Sequence, residues 1–227
     1  MNRQFVVVGL GRLGISMVAT LDSLRHEVLA IDKSESVIQS LADDLPNVNL
    51  VATDATDEDA VRGLNVEDFD AAAVMIAVMI GENHIEASIL AAANLKEVGV
   101  TRIVARATGG IHAKVLEKVG ADRVIQPERE IGEQLARTMA LPVLLDYVDL
   151  GEDEALIEAQ VPSAWFHKSL SELNLSQKMG LTVLALKPKG GPGTLPHRDS
   201  VLHDGDVLVV GGTRKDLDSS PLVQPDG

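Results

Sequence analysis

The residues best suited to chemistry stand near the start of the chain. Gly9, Gly11 and Gly14 lie at G-x-G-x-x-G spacing directly after the apolar run QFVVV. Glycines so placed give a tight turn, let a pyrophosphate approach the backbone, and let the next helix pack closely. Asp32 ends a second apolar run, VLAID. A carboxylate there hydrogen-bonds ribose hydroxyls and repels a 2′-phosphate, which favours NAD-like or adenosine nucleotides over NADP. The same glycines would also serve a plain tight turn, and Asp32 an ordinary loop carboxylate. The preceding strand, following helix and acid together are the context a nucleotide loop requires. Arg12 lies between the second and third glycines, where no turn needs it. Its guanidinium suits bidentate pairing with phosphate oxygens. The alternative is a surface arginine paired with a nearby carboxylate.

Two further stretches fall where ligands bind in open α/β sheets, beyond the carboxyl ends of strands. In TDAT, Asp54 and Thr56 suit an adenine or ribose edge; for Thr56 a helix N-cap is an equal reading. In IGENHIEAS, Gly81 and Glu82 either line the cleft or start a helix. The six histidines are His26, His84, His112, His167, His197 and His203. His84 and His112 fall near cleft-forming loops, but neither has a carboxylate orienter in sequence, so core or surface positions are expected.

These residues need a scaffold. Strand-like runs at QFVVVG, VLAID, VNLVAT, AAAVMIAV, RIVARA and DRVIQ alternate with helical segments. These segments are Arg12 to Leu24, one capped by Ser34, Asp57 to Leu64, Asn83 to Val98 and His112 to Val119. That alternation means a Rossmann-like, doubly wound parallel α/β sheet. Pro127 sits where it would open a helix, continuing over Glu130 to Ala140, and Pro142 ends it. Ile131, Leu135 and Met139 share one face of that helix, suited to core packing or to a partner subunit. The pattern then changes. VLLDYVDL, EALIEAQVP and LTVLALKP read as strands, SLSELNLSQKMG as a short helix, and VLHDGDVLVVGG as a strand pair around a DG turn. The expected organisation is a nucleotide domain over 1–141, a small α+β domain over 142–215 and a disordered Pro-rich tail over 216–227.

Composition narrows the function. The net charge of −14 and the pI near 4.7 argue against a nucleic-acid partner, which demands a Lys/Arg surplus. There is no cysteine, which excludes disulfides, zinc–thiolate sites and thiol nucleophiles. Aromatics make up only 2%, so aliphatic residues must build the core. The apolar run from Ala71 to Ile80 is too short for a bilayer, and the N-terminus does not fit a signal peptide. A cytoplasmic protein is expected, peripheral to a membrane if it serves one.

The combination GLGRLG, ID, ATDAT, GEN-x-x-EAS and above all KVGADRVIQPEREIGEQLA (118–136), with LTVLALKPKGG and HDGDVLVVGG, resembles the regulator-of-K⁺-conductance (RCK) family. Within it the chain is similar to the KtrA/TrkA-type cytoplasmic subunits of bacterial potassium uptake systems. The resemblance covers nearly the whole chain. It implies a non-enzymatic gating subunit in which ATP, ADP or NAD(H) changes the shape of a homo-oligomeric ring. That ring is commonly octameric, built from dimers, and sits on a membrane K⁺ translocating subunit of KtrB/TrkH type. The implied nucleotide contacts are Gly9, Gly11, Arg12, Leu13, Gly14, Asp32, Lys33, Ser34, Asp54, Ala55, Thr56, Ala77 and Arg106. Arg12 would reach a phosphate of ATP, Asp32 and Ser34 the ribose, and Glu128 would help hold Mg²⁺ or another divalent cation. Some members bind cyclic di-AMP in the small domain, which would involve Lys178, Pro196 and His197. Here Ser176, Gln177 and Lys178 stand where many relatives carry an arginine.

A NAD-dependent oxidoreductase shares the loop and the acid. A second domain of this size is small for a dehydrogenase, and no histidine is visibly positioned for proton transfer. A redox-sensing repressor lacks its basic helix-turn-helix.

Overall fold

The computed structural model describes residues 2–76, 84–141, 143–151 and 153–223. The chain divides into two compact units after Glu128.

The first unit alternates β1 (Gln4–Val8), α1 (Arg12–Ser23), β2 (Glu27–Asp32), α2 (Glu35–Leu41), β3 (Asn49–Ala52) and α3 (Glu58–Arg62). It continues with β4 (Ala71–Val74), α4 (His84–Glu97), β5 (Ile103–Arg106), α5 (Gly110–Lys118) and β6 (Arg123–Ile125). All strand pairs are parallel, in the order β3-β2-β1-β4-β5-β6. The order reverses direction between β1 and β4, the switch point at which doubly wound sheets bind ligands. Val6, Val8 and Val74 face one core layer with residues of α4 and α5, whereas Val7, Ala73 and Met75 face the other with Val18 of α1. Period-two alternation thus feeds two layers, and that explains why these strands read as unbroken apolar runs.

Local chemistry fixes the element starts. Ser34 caps α2 by accepting the Val37 N–H, and Asp57 caps α3 by accepting from Asp59 and Ala60. Thr56 is therefore not the cap of α3. Its N–H and hydroxyl instead donate to Asp54 Oδ1, at 2.9 and 2.8 Å.

The second unit starts within α6 (Pro127–Ala140) and holds β7 (Leu144–Gly151), β8 (Glu154–Gln160), α7 (Leu170–Leu173), α8 (Leu175–Met179) and β9 (Thr182–Lys187). β10 (Val207–Thr213) and α9 (Arg214–Asp218) complete it. The sheet is antiparallel, in the order β7-β8-β10-β9. Four features differ from the sequence reading. α6 goes with this unit from Arg129 onward, so the division falls earlier than residue 141. The expected single helix is two, broken at Asn174 in the left-handed region. The expected hairpin around the DG turn is one strand: the buried Asp206 carboxylate accepts the Lys189 and His203 N–H groups. That closes the turn, and β10 pairs with β8 and β9 instead. Residues 216–223 are ordered, because Leu217, Leu222 and Val223 are buried in the core with Trp165 and Leu208; 224–227 lie outside the described residues.

Candidate functional site

The loop from β1 to α1 requires its glycines. Gly9 has φ +91, and a Cβ there would stand 2.8 Å from the backbone N of Ile76. A Cβ on Gly14 would stand 2.0 Å from the Gly9 carbonyl oxygen. Neither neighbour is a flexible side-chain tip, so both positions demand glycine. Gly11 is the N-cap of α1 and offers no side-chain acceptor to the first helical N–H groups.

Asp32 holds this loop to the start of α2. Its Oδ2 accepts the Leu10 N–H at 2.8 Å and its Oδ1 accepts the Ser34 N–H at 2.9 Å. Across the cleft, the N–H and then the hydroxyl of Thr56, helped by Lys33, hold the Asp54 carboxyl below the usual carboxylate range. Asn94 of α4 donates to the Ala55 carbonyl at 3.0 Å and so positions this loop from behind.

Together these segments line a cavity of about 240 Å³ at the tips of β1, β2, β3 and β4. Of the sequence-assigned residues, Gly9, Gly11, Asp32, Lys33, Asp54, Ala55 and Thr56 line it. Arg12, Leu13, Gly14, Ser34 and Arg106 do not. Gly14 is buried under the loop, and Ser34 is occupied as the α2 cap. Arg12 is exposed and makes no ion pair among the described residues. Among the described residues no carboxylate supports the paired-surface reading of that guanidinium. Ala77, Gly81 and Glu82 lie outside the described residues. The sequence reading missed Val8, Leu10, Val37, Thr53, Ile76, His84 and Ala87 as wall residues. For the apolar ones no signal distinguishes a cleft wall from a core.

Arg106, at the end of β5, pairs with Glu128 at the start of α6. Its Nε is buried without a hydrogen-bond partner among the described residues. Glu128 is largely exposed, and no group of three metal-ligating side chains exists among the described residues. Glu128 alone does not make a cation site; it fits one only with oxygens from a bound nucleotide, as Mg²⁺ sites commonly do.

One core histidine gains definition. His112 on α5 is buried. Its Nε2 and the Ser88 hydroxyl lie 2.7 Å apart, and its Nδ1 accepts the Thr108 N–H at 3.3 Å. The Ser88 hydroxyl donates to the Ile85 carbonyl, so Nε2 carries the proton and the ring is neutral. Burial holds its pKa below the ordinary histidine value.

A second cavity, about 460 Å³, lies in the second unit among α7, α8, β9 and the 196–198 loop. Pro196 and His197 line it, with Arg198, which the sequence reading passed over. Lys178 is not in its wall and donates to the Glu172 carbonyl.

The TrkA-N domain family model matches residues 5–127, and the TrkA-C domain model residues 155–219. The chain belongs to the TrkA family. This TrkA-family chain is 35% identical over 216 residues to "Ktr system potassium uptake protein A" of Bacillus subtilis, covering 95% of the chain and 94% of the relative. It is 35% identical to "Ktr system potassium uptake protein C" of the same organism, over 96% and 95%. With "Ktr system potassium uptake protein A" of Vibrio alginolyticus it shares 34% identity, over 95% of each. Among solved structures the GsuK channel superposes with TM-score 0.72 at 18% identity, over all of this chain and 40% of that one. A GsuK structure bound to NAD superposes with TM-score 0.69 at 18% identity, over 96% and 38%. The chain thus spans less than half of those channel chains, and the likeness to them is one of fold. No helix among the described residues is long and apolar enough to cross a membrane.

Proposed function

We propose that this TrkA-family chain is the nucleotide-sensing gating subunit of a K⁺ uptake system, acting beneath a membrane translocator of KtrB/TrkH type. The observation that carries the reading is the cleft at the β1/β4 switch point, closed by two obligatory glycines and tied by Asp32. It sits in a chain that matches Ktr subunits over almost their full length. Adenine and ribose fit between Asp32 and the Asp54–Thr56 loop, with phosphates on the glycine turn. Arg12, exposed and without an ion pair among the described residues, is the group able to distinguish a third phosphate. Arg106 and Glu128 neutralise each other until a phosphate, with or without Mg²⁺, separates them.

A charge-assisted contact is worth about 1.5–3 kcal/mol, whereas swinging a two-state equilibrium from mostly one form to mostly the other takes about 5.5 kcal/mol. Several coupled sites are therefore required, which makes a ring a mechanical necessity. α6 supports assembly: it buries no residue within the chain, and Ile131, Leu135 and Met139 are exposed along it. A second copy covering that face, repeated to an octamer, gives the coupling. The cavity beside Pro196, His197 and Arg198 suits a second anionic ligand such as cyclic di-AMP. The assembly acts without chemical turnover, on the cytoplasmic side of the membrane.

The oxidoreductase reading competes directly. Thermal melts with ATP, ADP and NADH, alongside assays for hydride transfer to 2-oxo acids, separate the two. The expected result is stabilisation by adenine nucleotides, which follows from mass action, with no turnover. Hydride transfer would overturn the gating reading.

A further inference from the structure

The wall of the nucleotide cleft contributed by α4 begins with His84. This residue is more than nine-tenths buried and lines the cavity together with Ala87 one turn on. Among the described residues, charged groups line the cavity with it. From the ends of β2 and β3 come Asp32, Lys33 and Asp54, and these are the charged groups of the described lining. On its own helix Glu86 is exposed, and Ser88, one turn along, is held by the neutral His112 of α5. The described wall therefore carries two carboxylates against one ammonium, a net charge of −1, in the place where a polyanion has to sit. Imidazole is the side chain that changes charge near neutrality in response to small changes of field.

We propose that His84 takes up a proton when a nucleotide phosphate enters the cleft, so that nucleotide binding and proton binding are coupled at this site. The imidazolium cancels the net negative charge of the described wall and presents an N–H to the anion. By linkage, ligand affinity rises as pH falls through the neutral range, and a bound nucleotide raises the affinity for the proton by the same factor. The inference rests on the nucleotide reading above. It adds a second input, proton concentration, to the same cleft.

The test is calorimetry of ADP binding to the full chain at pH 7, without divalent cation, in two buffers of different ionisation enthalpy. The slope between buffers gives protons taken up per ADP bound. The proton balance of ADP itself is measured separately in the same buffers. The wild type is expected to take up protons in excess of ADP's own balance, and His84→Gln, a neutral hydrogen-bonding replacement, to lose that excess. His84→Asn serves as a second variant if Gln disturbs the fold. A wild-type uptake no greater than ADP's own, or equal uptake in wild type and a folded variant, overturns the proposal while leaving the nucleotide site intact. Absence of any ADP binding by the wild type overturns both.

Discussion

Replacing Gly9 by alanine probes the loop that the rest of the site depends on. At φ +91, a non-glycine residue is strained, and the new Cβ would stand 2.8 Å from Ile76 N, 2.9 Å from Ile76 Cα and 3.0 Å from Met75 C. All three atoms are backbone at the end of β4, so no side chain can swing aside. Left-handed strain costs about 1–2 kcal/mol for an L-residue, and overpacking a filled site costs about 1–3 kcal/mol. Together the loss is about 2–5 kcal/mol, a large fraction of the ~5–15 kcal/mol that holds a typical domain together. Chemical denaturation followed by far-UV circular dichroism measures it. Trp165, the one tryptophan of the sequence, is buried in the second unit and reports on that unit separately by fluorescence. Gly132→Ala is the control, since nothing lies within 4 Å of its Cβ and it sits in the interior of α6. That change should leave stability unchanged or raise it by roughly 0.5–1 kcal/mol. A loss below ~1 kcal/mol in Gly9→Ala would refute the claim that the β4 backbone dictates glycine here.

Other consequences are equally direct. Arg12→Ala should keep the fold, because the side chain is exposed and makes no ion pair among the described residues, yet lower the preference for ATP over ADP about tenfold or more; equal preference in competition binding would remove Arg12 from the mechanism. His112 has a folded-state pKa below its unfolded value of about 6.5. On acidification the unfolded chain therefore takes the proton first. Stability should be full above pH 6.5, fall as pH drops below it, and level off beneath the folded value. Melting curves from pH 7.5 to 5 should show this slope in wild type and a flatter one in His112→Gln; parallel slopes would contradict it. Leu222→Ala removes a fully buried side chain of the segment after α9 and should cost about 2–5 kcal/mol. A smaller change in urea midpoint would mean that the segment is not part of the core.

Much of this was legible because the first unit obeys simple periodicities. Six apolar runs separated by helical spacings specified the parallel sheet, and G-x-G-x-x-G with Asp32 located its switch point. Capping chemistry was readable where it was local, as at Ser34. It misled at Thr56, where Asp57 offered the α3 N–H groups a better-placed oxygen and Thr56 closed a turn on Asp54 instead. In the second unit the DG dipeptide suggested a hairpin, but of the two N–H groups that the Asp206 carboxylate accepts, one is the local His203 and the other is Lys189, a residue distant in sequence. The tail looked disordered by its Ser, Pro and Asp content. Leu217, Leu222 and Val223 are too sparse to show periodicity, and only the core they enter reveals their role. His84 was visible as a histidine near a loop; its burial against the cleft was not.

The central claim is that the phosphate count of an adenine nucleotide in this cleft decides the state of a K⁺ pathway. The direct measurement is K⁺ flux into proteoliposomes that contain a Ktr-type translocator and this chain, with ATP or ADP at saturating concentration. The account predicts a clear difference in flux between the two nucleotides, abolished by Arg12→Ala. Equal flux with ATP, with ADP and with neither, in the presence of demonstrated binding, would contradict it.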